Sequence, residues 1–317
     1  MHKIYDLLVV GELNVDVILN QIDGYPQLGK EIFAQRMDVV LGSSSAIFAS
    51  VAATLGLKVA FAGMVGHDAY GHFILNQLAN RGINTVGVKV SQDYASGATL
   101  VLNYGNERAM VTYPGAMAHF KLVDIDGTLL QQSRHLHVSS VFLQPGMKAD
   151  WVQLMQKAHE AGLTTSMDPQ WDPAEAWDLP WEELLPRVDY FLPNAAELKA
   201  ITGREDLKEA MDALLTHART LIVKDGTQGA WLGRGNERVH QPAFINHQVV
   251  DAIGAGDSFD AGFITGMLKG LSETESLRLA SLCGAINTTA AGGTGAFVSL
   301  PVVRQMALNK FGTKFLL

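Results

Sequence analysis

Residues 249–270, VVDAIGAGDSFDAGFITGMLKG, constrain this chain more than any other stretch. An apolar lead-in at 248–250 stops at Asp251, and a glycine-rich turn follows through Gly254, Ala255, Gly256 and Asp257. Phe259, Phe263, Ile264, Met267 and Leu268 then recur at helical spacing. Glycine lets the backbone come close to a ligand because no Cβ blocks the approach. The first N–H groups of a helix are unpaired and sit at the positive end of its dipole, so an anion is stabilised there. Asp257 places a carboxylate at the same spot, in reach of a hydroxyl that attacks a bound phosphate. Anion stabilisation, positioning and a base are the parts that phosphoryl transfer needs. An acidic first turn is also an ordinary capping choice, so the turn alone leaves both readings open.

The wider pattern decides between them. Asp251-Ala252-Ile253-Gly254-Ala255-Gly256-Asp257, with Phe259 and Ala261-Gly262-Phe263 behind it, resembles the C-terminal signature of the ribokinase-like (PfkB) carbohydrate kinases. The resemblance implies that Asp257 is the catalytic base and that the Gly254-Ala255-Gly256 backbone forms the anion hole. It further implies ATP as phosphoryl donor, Mg²⁺ as its counter-ion, and a sugar or sugar-like acceptor.

At 317 residues the chain has room for one large α/β domain or two average ones. Its 48% hydrophobic and 18% charged residues fit a sizeable core and argue against disorder. The net charge of −8 excludes nucleic acid or an anionic membrane as a natural partner, because both need a basic face. Cys283 is the single cysteine, so no disulfide framework exists. A reducing, cytoplasmic setting is expected. The apolar run at 7–10 lies between Asp6 and Glu12, too short and too charged for a signal sequence, and no 18-residue apolar span occurs.

Residues 5–10 read as a buried strand, followed by Gly11-Glu12-Leu13-Asn14-Val15-Asp16. On an extended chain Asn14 and Asp16 share a face. They could be plain turn formers, but the pattern is similar to the family's sugar-hydroxyl clamp. An extended stretch at 32–41 leads into Gly42 and Ser43, then an alanine-rich helix over 47–56. Family members usually carry two glycines here and an asparagine that touches the sugar, whereas this chain has Ser43 and Ile47. Gly63-Met64-Val65-Gly66-His67-Asp68-Ala69-Tyr70-Gly71 resembles the N-terminal signature, with Asp68 expected to cap a helix over 69–81.

Alternation across 98–103, a turn at Gly105-Asn106 and a return over 108–113 signal a hairpin. With the 31–40 segment it suggests a small antiparallel sheet, which in the resembled family is a lid that often pairs two subunits. A homodimer through the lid is therefore expected. From 136 to 223 strand-like and helix-like pieces alternate, with helices near 151–161 and 207–219. Gln144 follows an apolar run at 141–143 and is taken as a strand-end substrate contact; Asp168 closes 164–168. Asn194-Ala195-Ala196-Glu197 has capping-box spacing, and the resemblance gives Asn194 and Glu197 a water-mediated Mg²⁺ role. Lys224, Gly226 and Gly229 resemble the nucleotide loop, Asn287 the adenine neighbour, and Asp251 part of a monovalent-cation (K⁺) site.

The expected architecture is one doubly wound α/β domain over 1–317 with a mainly parallel central sheet. A β lid is expected from insertions at about 12–41 and 96–117. The expected function is an ATP-dependent sugar kinase acting on a hydroxymethyl group. A nucleoside kinase of the same fold and a non-catalytic sugar sensor are the alternatives, and neither Gly-x-x-x-x-Gly-Lys-Ser/Thr nor a first-strand Gly-x-Gly-x-x-Gly is present.

Overall fold

In β1 (Tyr5–Val10) Leu7 and Val9 pack into one apolar layer while Leu8 and Val10 pack into the other. A strand covered on both faces belongs in a parallel sheet with helices on each side, and that is its setting. The computed structural model describes residues 3–104 and 107–317. Its other strands are β2 (Asn14–Ile22), β3 (Ala34–Leu41), β4 (Val59–Gly66), β5 (Asn84–Ser91), β6 (Gly97–Asn103) and β7 (Arg108–Tyr113). There follow β8 (Ser133–Ser139), β9 (Thr164–Asp168), β10 (Tyr190–Phe191), β11 (Leu221–Lys224), β12 (Ala230–Arg234) and β13 (Glu237–Gln241). The helices are α1 (Ser44–Thr54), α2 (Ala69–Asn80), α3 (Gly127–Gln132), α4 (Trp151–Glu160) and α5 (Trp181–Leu184). Beyond them lie α6 (Ala195–Thr202), α7 (Leu207–Leu214), α8 (Ala255–Leu268), α9 (Glu273–Asn287) and α10 (Leu300–Phe311).

Nine strands form the main sheet in the order β13-β12-β11-β10-β9-β8-β1-β4-β5. All neighbours from β11 to β5 are parallel, and only the β11–β12 and β12–β13 pairs at one edge are antiparallel. The chain leaves β1 to one side through β4 and returns on the other through β8. Such a reversal of strand order opens a crevice at the C-terminal strand ends, where α/β proteins bind ligands. Gly11-Glu12, Ser139-Ser140, Asp168, Asn194 and Lys224 all lie at that end.

The second sheet, β3-β2-β6-β7, stands apart. The sequence pattern suggested an antiparallel sheet, but its central pair β2–β6 is parallel, with Asn14 opposite Gly97 and Asn20 opposite Asn103. The sheet is mixed because β2 and β6 belong to two hairpin-like insertions that enter side by side. The turn read at Gly105-Asn106 lies outside the described residues.

Helix α8 is buried from Asp257 to Gly266 and packs on α9 at glycine distance. A Cβ on Gly262 would stand 2.9 Å from Cys283 Sγ, and one on Gly266 2.6 Å from Ser276 Oγ. Cys283 is therefore a packing residue, and burial pushes its thiol pKa up. Phe263 and Ile264 are buried in the same layer, each contributing about 1.5–3 kcal/mol by leaving water.

Several sequence readings need correcting. Residues 141–143 are a 3₁₀ turn; the strand before it is β8, whose His135 and His137 hid it from an apolar search. Helix α1 begins at Ser44 rather than 47, because Ser43 caps it, its hydroxyl accepting from the Ala46 N–H. Helix α7 stops at Leu214, well short of 219. Ser43 sits at φ 73°, a left-handed conformation that favours glycine, so the serine keeps the turn at some strain while its hydroxyl donates to the Glu12 carbonyl.

Candidate active site

Gly254, at φ 77°, turns the chain into α8. A Cβ there would meet Gly293 Cα at 2.8 Å and Ile47 Cγ2 at 3.0 Å, so both its conformation and the space around it call for glycine. The Ala255 N–H donates to the Ala252 carbonyl at 3.2 Å, whereas those of Gly256 and Asp257 meet no acceptor among the described residues. Of the Gly254-Ala255-Gly256 backbone expected to form the anion hole, Gly256 offers a free amide beside that of Asp257, while the Ala255 amide closes the turn.

Asp257 is 6% exposed, and its Oδ1 accepts from Gln170 Nε2 at 2.9 Å. Burial pushes its pKa up to about 7; Asp168 and Glu12 add to the rise, while Lys224 and the Ser44 hydroxyl oppose it. A carboxyl poised near neutrality suits a general base. On the other side of the turn, Asn14 Nδ2 donates to Asp16 Oδ1 (3.1 Å) and to Thr99 Oγ1 (2.9 Å), and Thr99 bonds Thr112. Burial pushes Asp16 up to about 6, with Asn14 and Arg108 opposing and Asp251 adding.

The segment 42–45 joins the two carboxylates. A Cβ on Gly42 would stand 2.4 Å from Asp16 Oδ1 and 2.9 Å from Asn14 Nδ2. Ser44, two residues on, lies close enough for its hydroxyl to hold the Asp257 pKa down, and two residues span at most about 7 Å. Asp16 and Asp257 therefore flank one short turn. Gly42→Ala is expected to displace the Asn14–Asp16 pair and raise the KM for sugar about tenfold or more. ATP affinity should stay unchanged, as steady-state kinetics with each substrate varied will show.

Glu12, absent from the sequence expectations, lies beneath this turn at 1% exposure. Burial raises its pKa, against the Ser45 hydroxyl and amide that bond its carboxylate. Lys224 holds a second carboxylate group: its Nζ lies 2.8 Å from Asp168 Oδ2 and 2.9 Å from Asp260 Oδ2. Burial opposes the charge on Lys224, but these acids and Glu197 raise its pKa on balance. Lys224, expected in the nucleotide loop, also anchors this buried network. Asp260 was missed although it lies one turn along the helix from Asp257.

Asn194 and Glu197 form the capping box, Asn194 N donating to Glu197 Oε2 and Glu197 N to Asn194 Oδ1. Burial pushes Glu197 up to about 7, with Asp168 adding. Gln144 is fully buried and its Nε2 donates to the Ser139 and Ser140 carbonyls; its Oε1 has no partner among the described residues. Its amide braces the bend after β8 rather than a strand end. Ser43 likewise has its hydroxyl engaged by Glu12 and Ala46, which removes it as a sugar donor. Asn287 turns inward, Nδ2 donating to Ser258 Oγ and the Gly293 carbonyl, so it does not face the nucleotide side. Asp251 accepts from the Ile253 and Gly292 amides and so ties two loops together.

Two cavities flank the turn. One, about 350 Å³, runs from Lys224, Gly226 and Gly229 to an apolar wall of Phe244, Val249 and Phe259. Gly284, Ala285 and Thr288 stand there in place of Asn287. The other, about 860 Å³, lies between the second sheet and Asp251, and includes Asn20, Arg36, Asp38 and Arg108.

The pfkB family carbohydrate kinase profile matches residues 5–299. The chain belongs to that family. A ribokinase of Haemophilus influenzae is 29% identical over 314 residues, covering 96% of this chain and 97% of that protein. The 2-dehydro-3-deoxygluconokinase of Bacillus subtilis is 29% identical over 252 residues, 76% of this chain and 78% of its own. Among solved structures, an Arabidopsis thaliana ribokinase complexed with ribose and ATP superposes with a TM-score of 0.84. It is 24% identical and covers 96% of this chain and 99% of that one, a likeness of fold. As a pfkB kinase the chain is an ATP-dependent sugar kinase with a ribokinase-like α/β fold and a smaller separate sheet. No helix among the described residues is long and apolar enough to cross a membrane.

Proposed function

We propose that this kinase transfers the γ-phosphoryl group of ATP to a hydroxymethyl oxygen of a small sugar or sugar-like molecule. The observation that carries the reading is Asp257 beside two unpaired helix amides, across one short turn from the Asn14–Asp16 pair. Asn14 and Asp16 grip acceptor hydroxyls, and a carboxylate accepting from two hydroxyls fixes a sugar well. Asp257 takes the proton of the attacking hydroxyl as its oxygen bonds phosphorus. The bond from phosphorus to the β,γ-bridging oxygen breaks, and ADP leaves with that electron pair. The Gly256 and Asp257 amides stabilise charge on the transferred group.

The purine of ATP fits the apolar wall of the 350 Å³ cavity, with the phosphates passing Gly226 and Gly229 toward Gly256. No cluster of three metal-ligating side chains occurs among the described residues. Oxygen donors around Glu197 fit a hard cation that keeps its water and takes its remaining ligands from phosphates. Mg²⁺ there would be held by Glu197 through water, and when bound it neutralises phosphate charge. A K⁺ ion beside Asp251 belongs to the same proposal, although both carboxylate oxygens already accept from amides.

Closure of the second sheet over the acceptor would exclude water, which otherwise takes the phosphoryl group. The outer face of that sheet carries exposed Met37, Leu100, Val111 and Tyr113. β7 is an exposed edge strand. A second copy covering this face gives the proposed homodimer.

The test is ADP release with MgATP across ribose, fructose, keto-deoxy sugar acids, inositols and nucleosides. Sugar-dependent release well above the ATPase background is expected with one carbohydrate class. Release with nucleosides alone would replace the acceptor. Binding of a sugar by thermal shift with no release at all would make the protein a sensor and overturn the proposal.

A further inference from the structure

Gln170 stands at the centre of the acidic cluster and belongs to none of the motifs. It follows Asp168 and Pro169 at the end of β9, at φ 57°, a left-handed backbone that a glutamine rarely adopts. Its single Nε2 reaches Asp168 Oδ2 at 2.7 Å and Asp257 Oδ1 at 2.9 Å. The two amide hydrogens of one side chain thus bridge two carboxylates, one of them 6% exposed and the other fully buried. The same Asp168 Oδ2 accepts from Lys224 Nζ, which also holds Asp260. A continuous chain runs from Asp260 through Lys224, Asp168 and Gln170 to Asp257. Lys224, one link of this chain, lines the nucleotide cavity, so the chain borders the donor side and ends on the base.

We infer that Gln170 is a positioning residue for Asp257: its bridging amide holds the carboxylate toward the acceptor hydroxyl and keeps it ionised against the neighbouring acids. The inference rests on the reading of Asp257 as the base. The strained backbone supports it, because a glycine at 170 would relieve the strain, and strain persists where the surroundings impose it. The charged groups facing Asp257 are Asp168 from β9, Glu12 from the β1–β2 turn, Glu197 from α6 and Lys224 from β11. Three carboxylates face it against one cation, so a neutral amide is the side chain there that separates Asp257 from Asp168 without adding charge. Hydrogen bonds to the ionised form favour ionisation, and an added like charge opposes it.

The experiment compares the wild-type protein with Gln170→Gly and Gln170→Glu, measuring melting temperature and the pH profile of kcat and kcat/KM with an accepted sugar. Gln170→Gly relieves the left-handed strain but removes two hydrogen bonds to buried carboxylates, so its melting temperature serves to show that the variant is folded at the assay temperature. Its kcat should fall roughly tenfold or more while the KM for ATP stays within about twofold. The acid limb of kcat/KM should move to higher pH in both variants, by roughly one unit in Gln170→Glu. An unmoved limb in both variants overturns the inference, even if kcat falls, since a purely structural role lowers activity without shifting the titration. If one variant fails to fold, the other decides. Activity retained in Asp257→Asn would remove the base itself and would show as a separate result.

Discussion

Asp257→Asn should lower kcat by about a thousandfold or more, the range over which a positioned base acts, and should make the apo protein more stable. The isosteric amide can still accept from Gln170, so the local packing survives. What disappears is the charge. Burial pushes the Asp257 pKa up to about 7 in the fold, against an unfolded value near 3.9. A raised carboxylate pKa means the folded state holds its proton over a window where the unfolded chain has lost it. The stability cost of the carboxylate is thus absent below about pH 4, grows through the window and is complete above about pH 7. At pH 8 it amounts to about 2–4 kcal/mol, so the variant should melt several degrees higher there and match the wild type near pH 4. The same titration predicts that wild-type kcat/KM declines below about pH 7. A variant of equal activity, or one less stable at pH 8, would remove Asp257 from its role.

Lys224→Met is expected to have the largest effect on stability, a loss of about 3–5 kcal/mol at pH 8. Asp168 and Asp260 are each 1% exposed at the side chain and share this ammonium. Methionine fills the volume but leaves two buried carboxylates without their cation. Burial already raises Asp260 well above the ordinary carboxylate range, with Lys224 as the opposing influence. Without the lysine Asp260 takes up a proton more readily. The folded variant then binds more protons than the unfolded chain across the acidic range, and its deficit should shrink as pH falls from 8 toward about 5.5. Urea denaturation at the two pH values checks this. A deficit that stays constant between them would mean that the lysine contributes by packing its stem and not by compensating charge.

Much of the architecture was legible because it follows from periodicity. The runs at 7–10 and 221–223 are continuous and apolar, as strands buried on both faces must be. The Gly254–Asp257 turn announced itself by its glycines, and Asn194–Glu197 by capping-box spacing. What the sequence concealed was the direction of individual side chains. Asn287 and Gln144 stand at the places expected of ligand contacts, yet one turns into the α8–α9 seam and the other braces backbone carbonyls. The pairing of Lys224 was hidden because Asp168 and Asp260 are distant from it in sequence. Glu12 and Gln170 carry no local signature, since their meaning comes from neighbours that only the folded sheet supplies. Asp260 alone had a readable signal, one helical turn beyond Asp257.

The parallel pairing of β2 with β6 has a kinetic consequence. Asn14 meets Gly97 only after the intervening β4–α2–β5 unit has been laid down, so the strand proposed to carry the hydroxyl grip is closed by a contact distant along the chain. Distant contacts are slow to form, because the entropy of closing the loop comes before any reward. The half of the molecule proposed to bind the acceptor is thus expected to assemble late, while the helix that carries Asp257 is secured by close packing on its sequence neighbour α9. If Asp257 and the Asn14–Asp16 pair share one substrate as proposed, that substrate would act as a ligature between the two sheets' parts of the chain and is expected to slow their separation.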